Sequence, residues 1–194
     1  MWSAAILAGG QATRYFGRDK STLVVEGRTI LERQLGELAD VSSDVMIVGG
    51  NHAIPPARPV ADLVPGSGPL GGVHAALTHS LGDATIVIAC DMPYVSAAFL
   101  RHLLMLTGDA DAVVPRTERG YHPLCAAYTR ACLGPAAARL ADRRLKMIGL
   151  FEEVRVRVVD AEEIEAFGDR HRLLANVNSP LEYHALEASR RHEL

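Results

Sequence analysis

Four segments of the 194-residue sequence combine glycines, cations and carboxylates at spacings that suit a phosphorylated ligand. The first is Leu-Ala-Gly-Gly at positions 7–10, which is followed by Arg14 and Lys20. Glycines after a strand let the backbone approach a ligand and present its N–H groups to phosphate oxygens. Arg14 would add a planar fork of donors and Lys20 a point charge, so together they would neutralise a triphosphate. An ordinary glycine turn followed by solvated cations is the competing interpretation.

A carboxylate follows the most apolar run of the sequence, which spans residues 84–89 and predicts a buried strand. Asp91 stands there in the segment Cys-Asp-Met-Pro at positions 90–93. A carboxylate at the end of a buried strand is costly to leave unpaired. Mg²⁺, which binds carboxylate, water and phosphate oxygens, would compensate its charge. The alternative is that Asp91 only caps the following turn.

The third segment joins Asp62 to a glycine-rich stretch at residues 66–72. Its glycines fit the spacing GxGxxG with Asp91 some 20 residues further on, which resembles the fingerprint of an NAD-dependent oxidoreductase. The strand that this fingerprint requires is interrupted by Pro59, Asp62 and Pro65. We therefore favour a close-approach loop that begins a helix beside a nucleotide, with Asp62 accepting hydrogen bonds from the base or ribose.

The fourth segment contains two asparagines, Asn176 and Asn178, before Ser179 and Pro180. In an extended segment the two asparagine side chains would point the same way and could hydrogen-bond a polar heterocycle. Turn residues followed by an N-cap at Ser179 explain the same pattern equally well.

These segments must be positioned by strands and helices that alternate along the chain. The apolar patterns predict strands at residues 2–7, 44–48, 59–61, 84–89, 110–115, 124–128 and 154–159. Helices are predicted at residues 29–38, 70–81, 97–106, 131–140 and 144–151, and from residue 180 onwards. Joined by right-handed crossovers, these elements predict one α/β domain over residues 1–194, with three layers and a mostly parallel, doubly wound sheet. Ligands of such sheets bind beyond the carboxyl ends of the strands, where the chemical segments lie.

Composition excludes several classes of partner and compartment. The net charge is −3 and no basic run is present, which argues against nucleic acid and membrane surfaces. No stretch reaches the roughly 18 apolar residues of a membrane helix. Three cysteines cannot all pair and form no CxxC, which favours a reducing, cytoplasmic location. Cys90 and Cys125 lie in apolar strand regions, where inert core cysteines are expected.

Taken together, these residues resemble the molybdenum cofactor guanylyltransferases. The resemblance covers the chain from Leu7 to about Leu181. It rests on five segments in order: LAGG at 7–10 with RxxGxDK at 14–20, GPLGG at 68–72, CDMP at 90–93, HPL at 122–124 with Tyr128, and NVNSP at 176–180. It implies a Rossmann-like nucleotidyltransferase fold, a requirement for Mg²⁺, and transfer of GMP from GTP to the terminal phosphate of molybdenum-molybdopterin with release of pyrophosphate.

The resemblance also implies roles for individual residues. Those expected to act in catalysis are Arg14, Lys20 and Asp91, with Asp91 as the metal ligand. Those expected to bind GTP are Leu7, Ala8, Gly9, Gly10, Lys20, Asn51, Asp62, Gly68 and Asp91, and those facing the pterin are Asn176 and Asn178. Two positions depart from the family pattern. This chain has Gly-Gly-Asn at 49–51, where the family often places a nucleotide-site Asn, and Arg-Tyr-Phe-Gly at 14–17 replaces the common Arg-Met-Gly.

Several alternatives to this function remain at the level of sequence. A sister nucleotidyltransferase would use CTP or a sugar-1-phosphate acceptor, although cytidylyl relatives typically carry Ala-Ala-Gly at the first segment. A non-catalytic nucleotide-binding module and an NAD-dependent oxidoreductase are the two other classes. The guanylyltransferase interpretation further implies transient contact with molybdenum-insertion proteins and with the oxidoreductases that accept the product.

Overall fold

The computed structural model describes residues 1–8, 23–49, 54–177, 179 and 181–182, in which strands and helices alternate. The strands are β1 (Trp2–Leu7), β2 (Val24–Val25), β3 (Arg28–Thr29), β4 (Asp44–Val48), β5 (Arg58–Val60), β6 (Ala84–Ala89), β7 (Ala112–Thr117), β8 (Gly120–Tyr121), β9 (Cys125–Thr129) and β10 (Val156–Val159). The α-helices are α1 (Ile30–Ala39), α2 (Gly68–His79), α3 (Ala97–Met105), α4 (Leu133–Ala141), α5 (Ala161–Glu165) and α6 (Arg170–Leu173).

The central sheet has the strand order β10-β7-β9-β6-β1-β4-β5, and β8 joins it as an eighth strand by pairing with β7. β1 is parallel to both β4 and β6, β4 is parallel to β5, and β7 is parallel to β10. The strands β2 and β3 form a separate hairpin. The predicted mostly parallel α/β sheet is therefore confirmed for the part of the chain that the structure describes.

Strand β9 is an exception to the predicted pattern of crossovers, because it runs antiparallel to its neighbours β6 and β7. Only residues 118–124 separate β7 from β9, and they include β8. A parallel connection needs a dozen or more residues. The chain therefore returns antiparallel, and the prediction of crossovers throughout was wrong at this strand.

Helices cover both faces of the sheet, because alternate residues of each strand point to opposite sides. On one face Ile6 lies in a buried cluster with Leu35 of α1 and Phe99 of α3. On the other face Leu7 lies in a second cluster with Leu70 of α2. This arrangement gives the three predicted layers. It also explains why the strand sequences are apolar throughout, since both sides of each central strand are buried.

The starts of α1 and α3 carry side-chain caps. Thr29 and Glu32 form a capping box at the start of α1, and the Ser96 side chain accepts a hydrogen bond from the α3 backbone. The helix predicted at 144–151 was wrong, because a 3-10 helix forms at Met147–Glu152 instead and the extended backbone of Lys146 precedes it. Among the residues described, no helix has the length and hydropathy needed to cross a bilayer.

Candidate functional site

A cavity of about 360 Å³ opens where the parallel strands β1, β4 and β6 end. Four of the residues that line it are predicted contacts of GTP: Leu7, Asp62, Gly68 and Asp91. These residues come from four separate stretches of sequence, and the parallel strands deliver them to one edge of the sheet. The cavity therefore lies where ligands of open α/β sheets bind.

The end of β1 is fixed between its two neighbouring strands. The Ala8 N–H donates to the carbonyl of Val48 over 2.9 Å, and the Cys90 N–H donates to the carbonyl of Leu7 over 3.3 Å. Leu7 is buried and Ala8 is half-buried. The backbone of these two residues is thus held in one position beside the cavity, which suits recognition of a ligand through backbone groups.

Asp91 lies half-buried two residues beyond the end of β6. Its backbone carbonyl accepts a hydrogen bond of 2.7 Å from the N–H of Val177. This bond joins the backbone of Asp91, which is expected to hold a metal, to the segment that contains the exposed Asn176, which is expected to face the pterin. The sequence placed these residues in separate segments, and the structure joins them.

The surroundings of Asp91 fit Mg²⁺ bound mainly through a substrate. Mg²⁺ usually takes one or two carboxylates, several waters and substrate phosphates rather than a cage of protein ligands. Asp91 and Asp62 both line the cavity, whereas no group of three or more His, Cys, Asp or Glu side chains in the described ranges could hold a metal by itself. One or two carboxylates beside an open cavity are the donor set that this kind of binding requires.

The amino end of α2 forms the opposite wall of the cavity through Ser67, Gly68 and Pro69. No side chain of the described residues caps this end of the twelve-residue helix. Free N–H groups and the helix dipole favour an anion at such a position. Strand β5 ends at Val60, well before Gly66, so these glycines do not directly follow a strand as the NAD-binding fingerprint requires.

Two glycines of α2 are explained by close packing beside the cavity. A Cβ at Gly71 would lie 2.8 Å from the Ser67 Cβ, and a Cβ at Gly72 would lie 3.0 Å from a Leu7 methyl. Both Ser67 and Leu7 line the cavity. Glycine at these positions therefore lets α2 approach β1 and the preceding turn closely enough to form the cavity walls.

The segment His-Pro-Leu at 122–124 supports the cavity from the side of β9. The Leu124 carbonyl accepts a hydrogen bond of 2.9 Å from Ala89 N–H, and Leu124 lines the cavity. The Tyr128 hydroxyl donates to the Pro123 carbonyl over 2.6 Å. Burial, with a smaller contribution from Arg119, lowers the pKa of His122. This imidazole is therefore neutral at pH 7, and its Nε2 lies 2.9 Å from the Thr117 hydroxyl.

The cysteines differ in burial and in their position relative to the cavity. Cys125 is buried in β9, and burial raises the pKa of its thiol to about 12, which confirms an inert core cysteine. The expectation was wrong for Cys90, which lies one residue beyond the end of β6, is half-buried and lines the cavity. The end of the strand at residue 89 was predicted, but the position of Cys90 at the cavity depends on the other segments that pack around that end.

Some lining residues were missed by the sequence analysis, and some predicted site residues fall outside the described ranges. The missed residues are apolar or small and carry no chemical signal of their own: Val48, Val64, Ala89 and Cys90. The predicted site residues that lie outside the described ranges are Gly9, Gly10, Arg14, Lys20, Asn51 and Asn178. Their roles remain predictions.

Comparison with known proteins extends these observations. The sequence profile of the family described as "MobA-like NTP transferase domain" matches residues 4–156. A protein of Pelotomaculum thermopropionicum named probable molybdenum cofactor guanylyltransferase is 34% identical over 181 residues, which cover 92% of this chain and 88% of that protein. A protein of Clostridium perfringens with the same name is 32% identical, with 81% of each chain covered.

A solved structure shares the fold along the whole chain. It is the molybdopterin-guanine dinucleotide biosynthesis protein A of Archaeoglobus fulgidus, with a TM-score of 0.79 and 24% identity over 99% of this chain and 100% of that one. The likeness in structure agrees with the strand order and layers described above. From the sequence profile and the curated relatives together, the chain belongs to the MobA-like NTP transferase domain family.

Proposed function

We propose that this protein is a molybdenum cofactor guanylyltransferase, which transfers GMP from GTP to the terminal phosphate of molybdenum-molybdopterin and releases pyrophosphate. The hydrogen bond between Val177 and Asp91 carries this proposal. It joins the backbone of the segment expected to face the pterin to the backbone of Asp91, a residue that lines the cavity expected for GTP. Relatives named molybdenum cofactor guanylyltransferase over most of the chain support the same activity.

In this proposal the site works by aligning two anions and cancelling their charge. Leu7, Ala8, Gly9 and Gly10 approach the guanine and phosphates through backbone groups, and Asp62, Asn51 and Gly68 complete the nucleoside site. Arg14, Lys20 and the amino end of α2 hold the phosphates. Asp91 would hold Mg²⁺, which offsets the charge of the phosphate oxygens when bound. Such positioning and electrostatic stabilisation account for most of the catalysis in phosphoryl-type transfers.

The reaction requires neither a general base nor a covalent intermediate. The attacking phosphate of the pterin is already ionised at neutral pH. Cys125 and Cys132 are buried, with burial raising the pKa of each thiol to about 12, so neither thiol supplies a nucleophile. Asn176 and Asn178 would instead orient the acceptor by hydrogen bonds to its heterocycle.

We also propose the domain organisation, the location and the protein partners of the enzyme. Residues 1–194 act as a single nucleotidyltransferase domain, which is supported by a sheet that draws strands from Trp2 to Val159. The enzyme works in the cytoplasm, and the lack of a disulfide among Cys90, Cys125 and Cys132 agrees with a reducing compartment. It makes transient contact with molybdenum-insertion proteins and acceptor oxidoreductases.

The test is transfer to molybdenum-molybdopterin with GTP or CTP as the donor. We expect the dinucleotide product and pyrophosphate with GTP, a much lower rate with CTP, loss of both products on chelation with EDTA, and recovery with added Mg²⁺. Product and pyrophosphate are quantified separately, so that hydrolysis of GTP is distinguished from transfer. A preference for CTP would overturn the base assignment, and GTP binding without any transfer would overturn the proposed activity.

A further inference from the structure

Three segments that adjoin predicted site residues pack together beside the start of α1. The hairpin β2–β3 follows Lys20, the Pro93–Tyr94 stretch follows Asp91, and the stretch 175–177 contains Asn176. Their apolar side chains form one buried cluster, made of Val25, Ile30, Tyr94, Ala175 and Val177. Segments expected to serve the phosphates, the metal and the pterin therefore share a single small core.

A carboxylate at the tip of the hairpin connects these segments at the surface of the cluster. Glu26 accepts from the guanidinium of Arg33 over 3.1 Å and from that of Arg172 over 2.7 Å. Arg33 also donates from Nε to the carbonyl of Pro93 over 3.0 Å, two residues after Asp91. Arg172 belongs to α6, shortly before Asn176. Glu26 thus connects the hairpin both to the Asp91 loop (residues 90–94) and to the Asn176 segment (residues 175–177).

The ring of Tyr94 lies close to the same two guanidinium groups. The Arg172 Cζ is 4.1 Å from the ring centroid, and the Arg33 Cζ is 5.5 Å from it. Stacking of guanidinium on an aromatic face is favourable and fixes the orientation of its plane. The side chains of Glu26, Arg33 and Arg172 are 24–32% exposed, so solvent screens their attraction only in part. We call Glu26, Arg33, Tyr94 and Arg172 the Glu26 clamp.

The backbone at Glu26 is a second, independent observation. Glu26 and Gly27 have φ values of 51° and 80° and form the two-residue turn between β2 and β3. Such turns need positive φ at both central residues and favour Asn, Asp or Gly at the first of them. A glutamate there is conformationally disfavoured. Its presence is explained by what its side chain contacts rather than by the turn.

We infer that Glu26 is a positioning residue, which through Arg33 and Arg172 fixes the Asp91 loop and the Asn176 segment relative to each other. The inference rests on the proposed function, because it concerns how the acceptor is aligned with the nucleotide. Misalignment of reactants lowers the rate steeply even where binding persists. Loss of the clamp is therefore expected to affect transfer to the acceptor while GTP binding at Leu7 and Ala8 is kept.

Two substitutions separate this role from a purely structural one. Glu26→Gln keeps the size of the side chain and removes its charge. Glu26→Asn removes the carboxylate but supplies the residue that the turn prefers, so it leaves the hairpin at least as stable. The matched control is Glu118→Gln, since Glu118 contacts Arg170 and His171 of the same helix at 3.5 and 3.4 Å but lies outside the clamp.

The decisive measurements are acceptor kinetics, GTP affinity and hydrogen exchange. Both Glu26 variants are expected to lose about tenfold in kcat/KM for molybdenum-molybdopterin, with the Kd for GTP changed less than about twofold by calorimetry. The Val177 amide should exchange faster in both, because its bond to Asp91 loosens. Arg172→Lys keeps the charge but loses the planar stacking on Tyr94. Its kcat/KM and its Val177 exchange rate should lie between those of wild type and Glu26→Gln.

The outcomes decide the inference independently of the proposed activity. Glu26 variants that match Glu118→Gln in kinetics and in Val177 exchange would overturn the clamp. A loss of GTP affinity in parallel with a lower Tm would also overturn it, because that pattern marks a general loss of structure. A wild-type protein without transfer activity would count against the proposed function, and the exchange comparison alone would then decide whether the clamp orders the two segments.

Discussion

The backbone of Asp91 has a structural role that is separate from the expected role of its side chain. Its backbone carbonyl accepts the Val177 N–H and so fixes the neighbouring segment, while its side chain lines the cavity. A substitution of the side chain leaves the backbone bond in place. Binding chemistry and local structure can therefore be tested separately at this position.

The variants Asp91→Ala and Lys20→Ala are each expected to abolish transfer while the fold is retained. Removal of one charged group that acts on the reacting phosphates typically costs on the order of a hundredfold or more in rate. Turnover is measured at saturating GTP and Mg²⁺, with Tm and circular dichroism as checks of folding. The controls are Asp142→Ala and Lys146→Ala, which alter exposed residues away from the cavity. Unchanged turnover in both site variants would remove them from the catalytic assignment.

At the scale of elements, the start of α2 has the most direct influence on the cavity. Gly71 packs against the Ser67 turn, and Ser67 and Gly68 line the cavity. The Ser67 Cβ is attached directly to the backbone, so it cannot move aside as the end of a long side chain can. Any side chain at position 71 must therefore displace the turn itself.

The variant Gly71→Ala is expected to lower stability by about 1–3 kcal/mol through overpacking, and to weaken GTP binding by about tenfold because the displaced turn forms a wall of the cavity. The Kd for GTP is measured by calorimetry and the stability by thermal unfolding. Gly36→Ala is the control, since a Cβ at Gly36 within α1 meets nothing within 4 Å and alanine favours the helix. Equal GTP affinity in both variants would contradict the packing argument.

At the scale of the whole molecule, one buried carboxylate ties the amino-terminal edge of the sheet together. Asp44 of β4 accepts hydrogen bonds from the Ser3 hydroxyl of β1 over 2.6 Å, from Arg58 of β5 over 3.0 Å and from Leu81 N–H over 3.0 Å. Burial by itself raises the pKa of Asp44, but these hydrogen bonds and the charge of Arg58 outweigh it, so the pKa is lowered. The ionised carboxylate therefore stabilises the fold.

The variant Asp44→Asn is expected to lower the free energy of unfolding at pH 7 by about 1–3 kcal/mol, the usual effect of removing a buried hydrogen-bonded partner. The folded-state pKa lies below the unfolded value of about 3.9. The contribution is therefore complete above that value and is lost as the pH falls through the folded-state pKa. Urea unfolding at pH 7, 5 and 3 measures it, with the exposed Asp142→Asn as control. A difference from wild type that does not shrink at acid pH would contradict the assignment to the ionised carboxylate.

The sequence by itself determined the strands and helix starts that depend on residues close together in the chain. Strands at 2–7, 44–48 and 84–89 were predicted with their observed bounds, because a strand buried on both faces must be apolar throughout. The helix predicted at 97–106 begins where the sequence indicated, because the Ser96 side-chain oxygen satisfies a backbone N–H a few residues away. The α/β class and the edge of the sheet where the cavity lies followed from the order of these elements, and the family followed from the resemblance of the five motif segments.

Only the tertiary structure decided which distant segments meet. The contact of Asp91 with Val177 and the position of Cys90 at the cavity depend on strand order and register, which local periodicity does not encode. Glu26 and Arg172 form an ion pair although they lie 146 positions apart. Strand apolarity and turn preferences can be seen in residues that are close in sequence. A pair such as Glu26 and Arg172 forms only because the packed sheet brings distant segments of the chain together.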